Sequence, residues 1–526
     1  MGKDAQDASL YKVPLDYTPS QVNNNLSSTY WKVDAPGEKE PRCFLAYSSG
    51  LDFCWLHTRA GNLAPELGKS RPQNRYDCVK TGVAEDGDSP EGKVFVLEEN
   101  VDATWSCRRG YGIDADSGTP TSSSSILQRQ GSFKTALTTP GALRMRQTSL
   151  HRITGRHTAM VACVLSSDSF EVEFYTLARA SDISLCKCVL LDTFSPGRSD
   201  PTAKWEAWNR KQKIVRPCFT QGSAVVRQLG DGPVPAAAAS GDFSFLDSVG
   251  AKVCVGCSSG DIFVFQTLPE HDDELEITHL ATLSSFAEDK SQNFADASPV
   301  SCLCSLEDAD LASAAGAGGS LAGCPWKNVL VAGHDDGTVA MWTLGDAKAS
   351  ASWRTNVSRY LDGFDKSNDA LVSAKLSAGT NQLVLATMSG HIVVLNFAEV
   401  QEERRGSMSA DSNHLVALQG GTLCVSSVHV TRAHAGWITG LDLTADPATG
   451  KGLIASCSQD GSVHAFELLS EDKCTGDQQL LRCLVSYSSQ FTQYTGLSFA
   501  RVGEGSAKVA LSAYEDSDVS VLHVRL

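Results

Sequence analysis

Three polar residues near the C-terminus have the side chains that acyl-transfer chemistry needs. His434 precedes an apolar strand pattern, Ser456 lies in the next pattern, and Asp460 begins the turn after it. In a hydrolase the serine would attack the substrate, the histidine would take its proton, and the aspartate would orient the histidine. A structural hydrogen-bond network would use the same three residues. The elements that carry them decide between the two interpretations.

Two short motifs also suggest chemistry, but their context argues against it. Residues 256–260 (GCSSG) match the nucleophile elbow of hydrolases, which requires a strand followed by a helix. Here a second strand pattern follows at once, so we predict a hairpin turn. Cys254 and Cys257 lie three apart in a strand pattern and therefore point to opposite faces. The 12 histidines lack metal-ligand spacing, and we predict no catalytic residue, metal or cofactor.

Three serines follow arginine in the pattern that basophilic kinases recognise by charge. Ser132, Ser149 and Ser407 each have an arginine three residues upstream, in polar segments. Phosphorylation would add about −1.5 to −2 charges at each of them. The alternative is an unmodified polar loop, because motifs this short often match by chance. We predict regulation at these serines, which phosphopeptide mapping would test.

The chain repeats one unit, in which a short apolar strand, a polar turn and a second alternating strand predict a β-hairpin. Each hairpin needs an inner strand before it and an outer strand after it to form a four-stranded blade. Inner-strand patterns occupy residues 299–306, 370–376, 437–443 and 494–500, and outer-strand patterns occupy 185–191, 277–283, 422–430 and 480–487. The seven hairpin patterns occupy residues 43–58, 160–177, 252–266, 328–344, 382–397, 453–468 and 508–526.

These repeats predict an all-β fold, a single seven-bladed β-propeller of the WD40 type over residues 1–526. Residues 28–33 supply the inner strand of the first hairpin. Residues 9–16 supply the outer strand of the last, so the N- and C-terminal strands pair and close the ring. Long inserted loops are expected at residues 59–103, 204–241 and 306–323, the last rich in Gly and Ala, with a Ser/Thr-rich disordered insertion at 115–157.

Composition argues against several classes of partner. The formal net charge is −16, and an acidic surface repels the phosphates of nucleic acids and anionic membranes. No apolar run is long enough to span a membrane, and the N-terminus lacks an apolar segment. The 17 cysteines mostly fall in apolar strand patterns, as in a reducing compartment. We expect a cytoplasmic protein, with the cilium or cytoskeleton as alternative settings.

Several segments, taken in order, resemble the WD repeat-containing protein 54 family. They are Val13-Pro14-Leu15 with residues 24–27 (NNLS), residues 253–265 (VCVGCSSGDIFVF), residues 433–443 and residues 510–521. The resemblance covers residues 10–60 thinly and 250–526 fairly continuously. It implies a WD40 propeller with an intracellular scaffold or adaptor role and no catalytic residues.

The resemblance also implies a role for the histidine, serine and aspartate. In WD repeats such residues form a buried network with a tryptophan, here His434, Ser456 and Asp460 with Phe466 at the tryptophan position. The fourth hairpin has Asp336 and Trp342 at the matching places, but no histidine before its inner strand. We therefore expect these residues to be structural.

Non-enzymatic protein binding is the function that these features favour. The predicted scaffold binds protein partners, with basic surfaces matching its acidic charge, and an axonemal or ciliary assembly subunit is one form of it. Trp437 and Tyr494 begin inner strands near the binding face and are candidate contacts, although strand aromatics often pack inward. An enzyme acting at the central channel is the alternative, disfavoured because the inner strands begin with Pro299, Ala370, Trp437 and Tyr494 rather than charged residues.

Overall fold

The computed structural model describes the strands of the chain and the turns that join many of them. The described residues are 9–14, 18–19, 21, 23–31, 42–49, 52–59, 80–82, 93–99, 105–113, 120–121, 147–153, 159–164, 171–179, 182–190, 222–229, 234–235, 245–246, 249–256, 260–269, 275–284, 298–307, 310–311, 324–344, 351–361, 370–377, 379–400, 415–418, 421–446, 449–469, 480–503, 505–514, 516 and 518–526.

The described residues are almost entirely β-structure, with short helical turns such as the 3₁₀ helix Val357–Arg359. The strands are β1 Ser9–Pro14, β2 Ser27–Trp31, β3 Arg42–Ser49, β4 Asp52–Arg59, β5 Lys80–Gly82, β6 Lys93–Glu99, β7 Trp105–Ile113, β8 Pro120–Thr121, β9 Gln147–Arg152, β10 Ala159–Val164, β11 Glu171–Arg179, β12 Asp182–Leu190, β13 Ser223–Arg227, β14 Ala251–Gly256, β15 Asp261–Pro269, β16 Leu275–Ser284, β17 Val300–Cys304, β18 Val329–His334, β19 Thr338–Thr343, β20 Ala351–Asn356, β21 Leu371–Ser377, β22 Gln382–Thr387, β23 His391–Glu399, β24 Leu415–Leu418, β25 Gly421–Arg432, β26 Ile438–Ala445, β27 Gly452–Ser458, β28 Ser462–Leu468, β29 Leu481–Ser488, β30 Tyr494–Gly503, β31 Ser506–Ala513 and β32 Asp518–Arg525.

The strands form antiparallel sheets, most of them with four strands paired in chain order. We number seven sheets by their first strands. They are sheet 1 (β2–β4), sheet 2 (β9–β12), sheet 3 (β13–β16), sheet 4 (β17–β20), sheet 5 (β21–β25), sheet 6 (β26–β29) and sheet 7 (β30–β32 with β1). An additional sheet comprises β5–β8. Hairpins of this kind arise where alternating apolar strands flank a turn that accepts glycine.

The first strands of the numbered sheets, which we term the inner strands, pack against one another. β9 contacts β13, β13 contacts β17, β17 contacts β21, β21 contacts β26, and β26 contacts β30. β2 contacts both β30 and β9. Each sheet therefore presents its first strand to the first strands of two neighbouring sheets.

All seven predicted hairpins coincide with strand pairs, and so do the predicted inner and outer strands. β1 pairs with β32 from Ser9 opposite His523 to Pro14 opposite Asp518, as the first predicted strand was expected to do. Sheet 1 has three strands and sheet 5 has five, so the expected four-stranded pattern is not uniform.

The segments expected to be inserted loops contain strands. β5 and β6 lie within residues 59–103, while β8 and β9 lie within 115–157. β13 lies within residues 204–241 and is the inner strand of sheet 3. The expectation of loops is therefore wrong at these strands, because short strands flanked by polar sequence give a weak alternation signal. Most of residues 306–323 lie outside the described residues.

The hydrophobic core consists of layers between successive sheets. Val331 and Met341 of sheet 4 pack with Leu385 and Val393 of sheet 5. Similar buried clusters join sheets 3 and 4, sheets 5 and 6, and sheets 6 and 7. Because both faces of these sheets are covered, their central strands are apolar almost throughout, as the fully buried β14, β18 and β22 show.

Four inner strands carry a β-bulge at their second residue. The pairing register with the next strand shifts around Ser301 in β17, Val372 in β21, Thr439 in β26 and Thr495 in β30. A bulged residue is left out of the ladder of backbone hydrogen bonds. The same irregularity at the same place in four sheets therefore leaves backbone groups at one edge of the fold that the sheet ladder does not pair.

Candidate protein-interaction surface

One edge of sheets 4 to 7 combines the hairpin turns with the segments that enter the inner strands. In each sheet the first turn residue donates its backbone N–H to the carbonyl of the residue before the inner strand. The pairs are Asp335 with Pro299 (3.1 Å), Met388 with Ala370 (2.9 Å), Gln459 with Trp437 (3.0 Å) and Tyr514 with Gln493 (2.9 Å). The turns and the entry segments therefore form one continuous surface, which we term the turn edge.

Glycine shapes the turns of sheets 4 to 6. Gly337, Gly390 and Gly461 have φ angles of 78°, 88° and 78°, in the left-handed region that favours glycine. Their carbonyls accept hydrogen bonds of 2.8–2.9 Å from Val357, Ala433 and Ser489, which follow the outer strands. Each turn is thus fastened to the end of its own outer strand.

His434, Ser456 and Asp460 come together at the turn edge of sheet 6. The His434 Nε2 atom lies 2.8 Å from the Ser456 hydroxyl, and its Nδ1 atom lies 2.6 Å from the Ser462 hydroxyl. Ser462 donates to the Asp460 carboxylate at 2.5 Å through its hydroxyl. Because Ser462 gives its proton to Asp460, it accepts from a protonated Nδ1, and Nε2 accepts from Ser456. The predicted network therefore contains Ser462 as a link between His434 and Asp460.

Electrostatics keep this network in one protonation state. Burial, followed by the neighbouring His464 ring, lowers the pKa of His434 from 6.5 to about 3. Partial burial disfavours the charged form of Asp460, but hydrogen bonds from Ser462 and the Gly436 N–H outweigh it and lower its pKa. A neutral histidine and an ionised aspartate follow, so their 3.9 Å approach is not an ion pair.

The arrangement does not resemble a catalytic triad that substrate could reach. Ser456 is 0% exposed and His434 is 3% exposed, so a nucleophile there has no access to a substrate. Asp460 uses its second oxygen to accept the N–H groups of Ala435 and Gly436 at 3.0 and 2.9 Å. The network therefore positions the segment before Trp437.

Two aromatic side chains, His464 and Phe466, pack beside the network. The His464 ring packs against His434 with centroids 4.6 Å apart, and Phe466 lies 5.9 Å beyond His464. Phe466 has no N–H to donate, so aromatic contacts replace the hydrogen bond of a tryptophan. His464 was not predicted from the sequence because the WD pattern specifies no aromatic residue at that position. His464 pairs with Ser456 of the neighbouring strand, and β28 alternates in burial at its start. This register could have indicated that His464 lies beside the network.

In sheet 4, Asp336 and Trp342 lie in different environments. Asp336 accepts the Thr338 N–H at 2.9 Å, and its own N–H donates to the Ser298 hydroxyl at 2.9 Å. Trp342 is 1% exposed and packs in the apolar layer between sheets 3 and 4. Ser298 stands two residues before its inner strand, at the position that Gly436 occupies in sheet 6.

The two aromatic candidates for partner binding differ in exposure. Trp437 is 45% exposed at the turn edge. Tyr494 is 1% exposed and packs in the layer between sheets 6 and 7, so the prediction that it contacts a partner is wrong. Its ring points inward, as strand aromatics usually do. Phe491, 96% exposed, and Tyr514, 39% exposed, also belong to this edge and were not predicted.

These three exposed residues, Trp437, Phe491 and Tyr514, are termed the aromatic edge. Backbone hydrogen bonds place them on adjoining segments: Gln459 binds Trp437, Ser489 binds the Gly461 next to Asp460, and Tyr514 binds Gln493. The Asp516 carboxylate lies 3.3 Å from Lys12 in the same region. Acidic and aromatic groups therefore share the turn edge of sheets 6 and 7.

The inner strands also carry charged groups, but these satisfy one another. Lys375 lies 2.7 Å from Glu307 and 2.9 Å from Asp442, which links sheets 4, 5 and 6. Asp442 also accepts from the Ser498 hydroxyl at 3.1 Å and the Phe499 N–H at 2.8 Å, in sheet 7. Burial opposes the charge of Lys375, yet Asp442 and Glu307 together raise its pKa. These groups bind inner strands together rather than forming an open catalytic site.

The predicted phosphorylation sites fall in different places. Ser149 lies in β9, paired with Ala162 of β10, so the expectation of a polar loop is wrong there. Ser132 and Ser407 lie outside the described residues.

Other motifs that suggested chemistry lie in strands or beside them. β14 ends at Gly256 of the GCSSG motif and pairs antiparallel with β15, which begins at Asp261, so a strand and not a helix follows the motif. Burial raises the pKa of the Cys254 thiol. No cluster of metal-binding side chains occurs among the residues that the structure describes. No helix in these ranges is long and apolar enough to cross a membrane.

Comparison with known proteins finds similarity to solved structures. No protein-family model and no curated protein matches the chain. Among solved structures, the chain is similar to the crystal structure of the Cps50 (Swd1) β-propeller domain of Myceliophteria thermophila. The identity is 8% and the TM-score 0.37, over 71% of this chain and 81% of that one.

Proposed function

We propose that the chain is a seven-bladed β-propeller of the WD40 type that binds protein partners without catalysing a reaction. The observation that carries this proposal is the packing order of the inner strands. That order runs from β9 to β30 and returns through β2 to β9, passing through each numbered sheet once. Blades arranged around an axis produce such an order, and the pairing of β1 with β32 completes the seventh blade.

The aromatic edge is the surface on which we expect a partner to bind. Exposed tryptophan, phenylalanine and tyrosine side chains supply large contact areas, and such residues dominate binding energy at interfaces. The backbone that enters Trp437 is held in place by Asp460, which accepts the Ala435 and Gly436 N–H groups. A backbone that is fixed beforehand loses less conformational entropy when a partner binds.

The partner that fits this surface carries basic side chains. The described turn-edge segments of sheets 6 and 7, residues 433–437, 459–461, 489–493, 514 and 516, contain Asp460 and Asp516 but no lysine or arginine, and Lys12 of β1 pairs with Asp516 there. Arginine and lysine side chains would meet the aromatic faces, which attract cations, beside the ionised Asp460. The net charge of −16 favours the same class of partner.

The buried network supports a structural role rather than catalysis. Its serine and histidine are enclosed, and the charged groups of the inner strands are paired with one another. The segments that resemble the WD repeat-containing protein 54 family, whose pattern implies a scaffold or adaptor, are in accord with this proposal. Phosphorylation at Ser132, Ser149 and Ser407 stays a prediction about how binding is regulated.

A double substitution tests the proposed surface. Trp437→Ala with Phe491→Ala removes two exposed aromatic side chains while leaving the buried network intact. We expect binding of arginine- and lysine-rich partner peptides to weaken by about tenfold or more, the cost of losing interface anchors. The affinity is measured with the purified full chain against a peptide panel, at two salt concentrations.

The matched control is Leu280→Ala. Leu280 is 48% exposed but lies in β16 of sheet 3, away from the aromatic edge. Its substitution is expected to leave the affinity unchanged. Equal binding by the double variant and by wild type would contradict the proposed surface, and so would tighter binding of acidic than of basic peptides.

A further inference from the structure

The segment between β1 and β2 crosses the bulged ends of three inner strands. The Asn24 N–H donates to the Thr439 carbonyl at 2.6 Å, and the Asn25 N–H donates to the Thr495 carbonyl at 3.1 Å. The Asn24 side-chain amide donates to the Val372 carbonyl at 2.8 Å. The three acceptors are the bulge residues of sheets 5, 6 and 7.

The bulges explain why those carbonyls are available. A bulged residue stands outside the pairing ladder, so its backbone groups need another partner. Val372, Thr439 and Thr495 are each 2% exposed, which limits their access to water. A buried carbonyl without a hydrogen bond is costly. The segment therefore supplies donors where the sheets present acceptors.

Other details show that segment and site fit each other. Asn24 has a φ angle of 55°, a left-handed conformation that asparagine tolerates better than most residues. The Ser512 hydroxyl donates to the Asn25 carbonyl at 2.9 Å. A Cβ atom at Gly496 would lie 2.5 Å from the Asn25 nitrogen. Glycine in β30 therefore admits the segment, and both Asn25 and Leu26 are buried there.

We propose that residues 23–26 are a built-in peptide ligand of a site formed by the bulged ends of β21, β26 and β30. The site recognises a peptide turn with two backbone N–H donors and a carboxamide side chain. The chain's own Asn24-Asn25 turn occupies it and closes the central opening of the ring at this edge. The position of that opening rests on the proposed propeller, whereas the binding site rests on the contacts alone.

Substitution of Asn24 tests the role of the carboxamide. Asn24→Gly keeps the left-handed backbone but removes the donor to Val372. We expect the amides flanking the Val372 bulge to exchange hydrogen about tenfold faster than in wild type, because the buried Val372 carbonyl loses its partner. Asn24→Ala adds backbone strain, so its exchange should be faster still. Exchange is measured on the full chain by mass spectrometry.

A peptide added in trans tests whether the site is separable from the segment. A fluorescent peptide of residues 18–31 should bind Asn24→Gly chains and bind wild type at least about tenfold more weakly, because the intact segment competes at high effective concentration. The same peptide with Asn24→Gly should bind neither chain. Equal binding of the peptide to wild type and variant, or to neither, would overturn the proposal.

Gly496→Ala provides an independent test from the opposite side of the contact. The added methyl group should displace the segment and accelerate exchange at the bulges. Gly379→Ala is the control, since a Cβ atom there has no neighbour within 4 Å. If Gly496→Ala does not fold, Asn24→Gly decides, because wild-type exchange in that variant contradicts the proposal. Partner binding at the aromatic edge is measured separately. If that binding is absent, the proposed function fails, but hydrogen exchange and binding of the 18–31 peptide still test the site at the bulges.

Discussion

At the scale of single residues, the hydrogen-bond network of sheet 6 shows how side chains of catalytic type serve a structural purpose. His434 is neutral because it is buried beside His464, and Ser462 joins it to the Asp460 carboxylate. Asp460 in turn holds the backbone before Trp437. The network thereby fixes the backbone from which the exposed Trp437 side chain extends.

The lowered pKa of His434 predicts a pH-dependent stability. Unfolded His434 titrates near 6.5, whereas the folded residue titrates near 3, so the unfolded chain binds more protons between these values. The His434 contribution is complete above pH 6.5 and is lost as the pH falls toward 3. We expect the slope from this residue to reach at most about 1.4 kcal/mol per pH unit. Urea unfolding at a series of pH values measures it.

His434→Gln is the variant to compare, because glutamine retains a donor and an acceptor without titrating. The variant should have a shallower loss of stability on acidification than wild type. The lowered pKa of Asp460 acts in the same direction, since its contribution is present at neutral pH and lost in acid. Identical pH profiles for the two proteins would show that His434 is not buried in neutral form.

The sequence identified part of this site and missed the rest for a physical reason. His434, Ser456 and Asp460 lie at positions that the WD pattern predicts, and the structure brings them together. Tyr494 and Trp437 both begin inner strands, and sequence alone does not tell which of the two turns inward. Phe491 lies three residues before Tyr494 in a turn without periodicity, so no pattern indicated its exposure.

At the scale of strands and turns, the glycines of the hairpins determine how the ends of the sheets are assembled. Gly461 combines a φ angle of 78° with contact to the carbonyl of Ser489, which follows the outer strand. Gly450 has a φ angle of 68°, but a Cβ atom there has no neighbour within 4 Å. Substitution of Gly450 therefore measures the cost of backbone strain alone, and substitution of Gly461 measures that cost together with steric overlap.

Gly450→Ala should lower the free energy of unfolding by about 1 kcal/mol, the cost of a left-handed alanine. Gly461→Ala should cost at least about 2 kcal/mol more, since its methyl group overlaps a backbone oxygen that has to move. Chemical denaturation of both variants measures the difference. Equal losses in the free energy of unfolding would indicate that the segment after the outer strand moves away without cost. That outcome would contradict its fixation by the hydrogen bond between Ser489 and Gly461.

Sequence patterns predicted the hairpins better than the inner strands. All seven hairpins have two alternating apolar strands around a polar turn, which is a strong signal. β13 has five residues and ends in the buried Arg227, whose guanidinium donates to the carbonyls of Arg152 and Ile153. A buried arginine satisfied by a neighbouring inner strand has no signature in local sequence. Inner strands of sheets 2 and 3 were therefore taken for parts of loops.

At the scale of the whole molecule, the pairing of β1 with β32 joins the two ends of the described chain. Deletion of residues 1–14 removes β1 and leaves β32 as an uncovered edge. We expect the free energy of unfolding to fall by about 3 kcal/mol or more, the cost of exposing two or more apolar side chains. Thermal and denaturant unfolding of the truncated chain measure this loss.

Lys12→Ala distinguishes strand pairing from the ion pairs at the same seam. Lys12 contacts Asp516 and Asp518 at 3.3 and 3.5 Å but is 53% exposed, so its removal should change stability by less than about 0.5 kcal/mol. If deletion of residues 1–14 lowered the free energy of unfolding no more than Lys12→Ala does, β1 would be dispensable. That result would count against the closed ring of the proposed function.

The strand order of sheet 7 has a consequence for how the protein is made. Within this sequence β1 is synthesised before the other described strands, and its partner β32 is synthesised after them. During synthesis β1 therefore waits without its partner, while local hairpins can already pair. A nascent chain released before Asp518 lacks that partner permanently and presents an open strand edge to chaperones and proteases. Sheet 7 is therefore completed only after residues 518–525 have been synthesised.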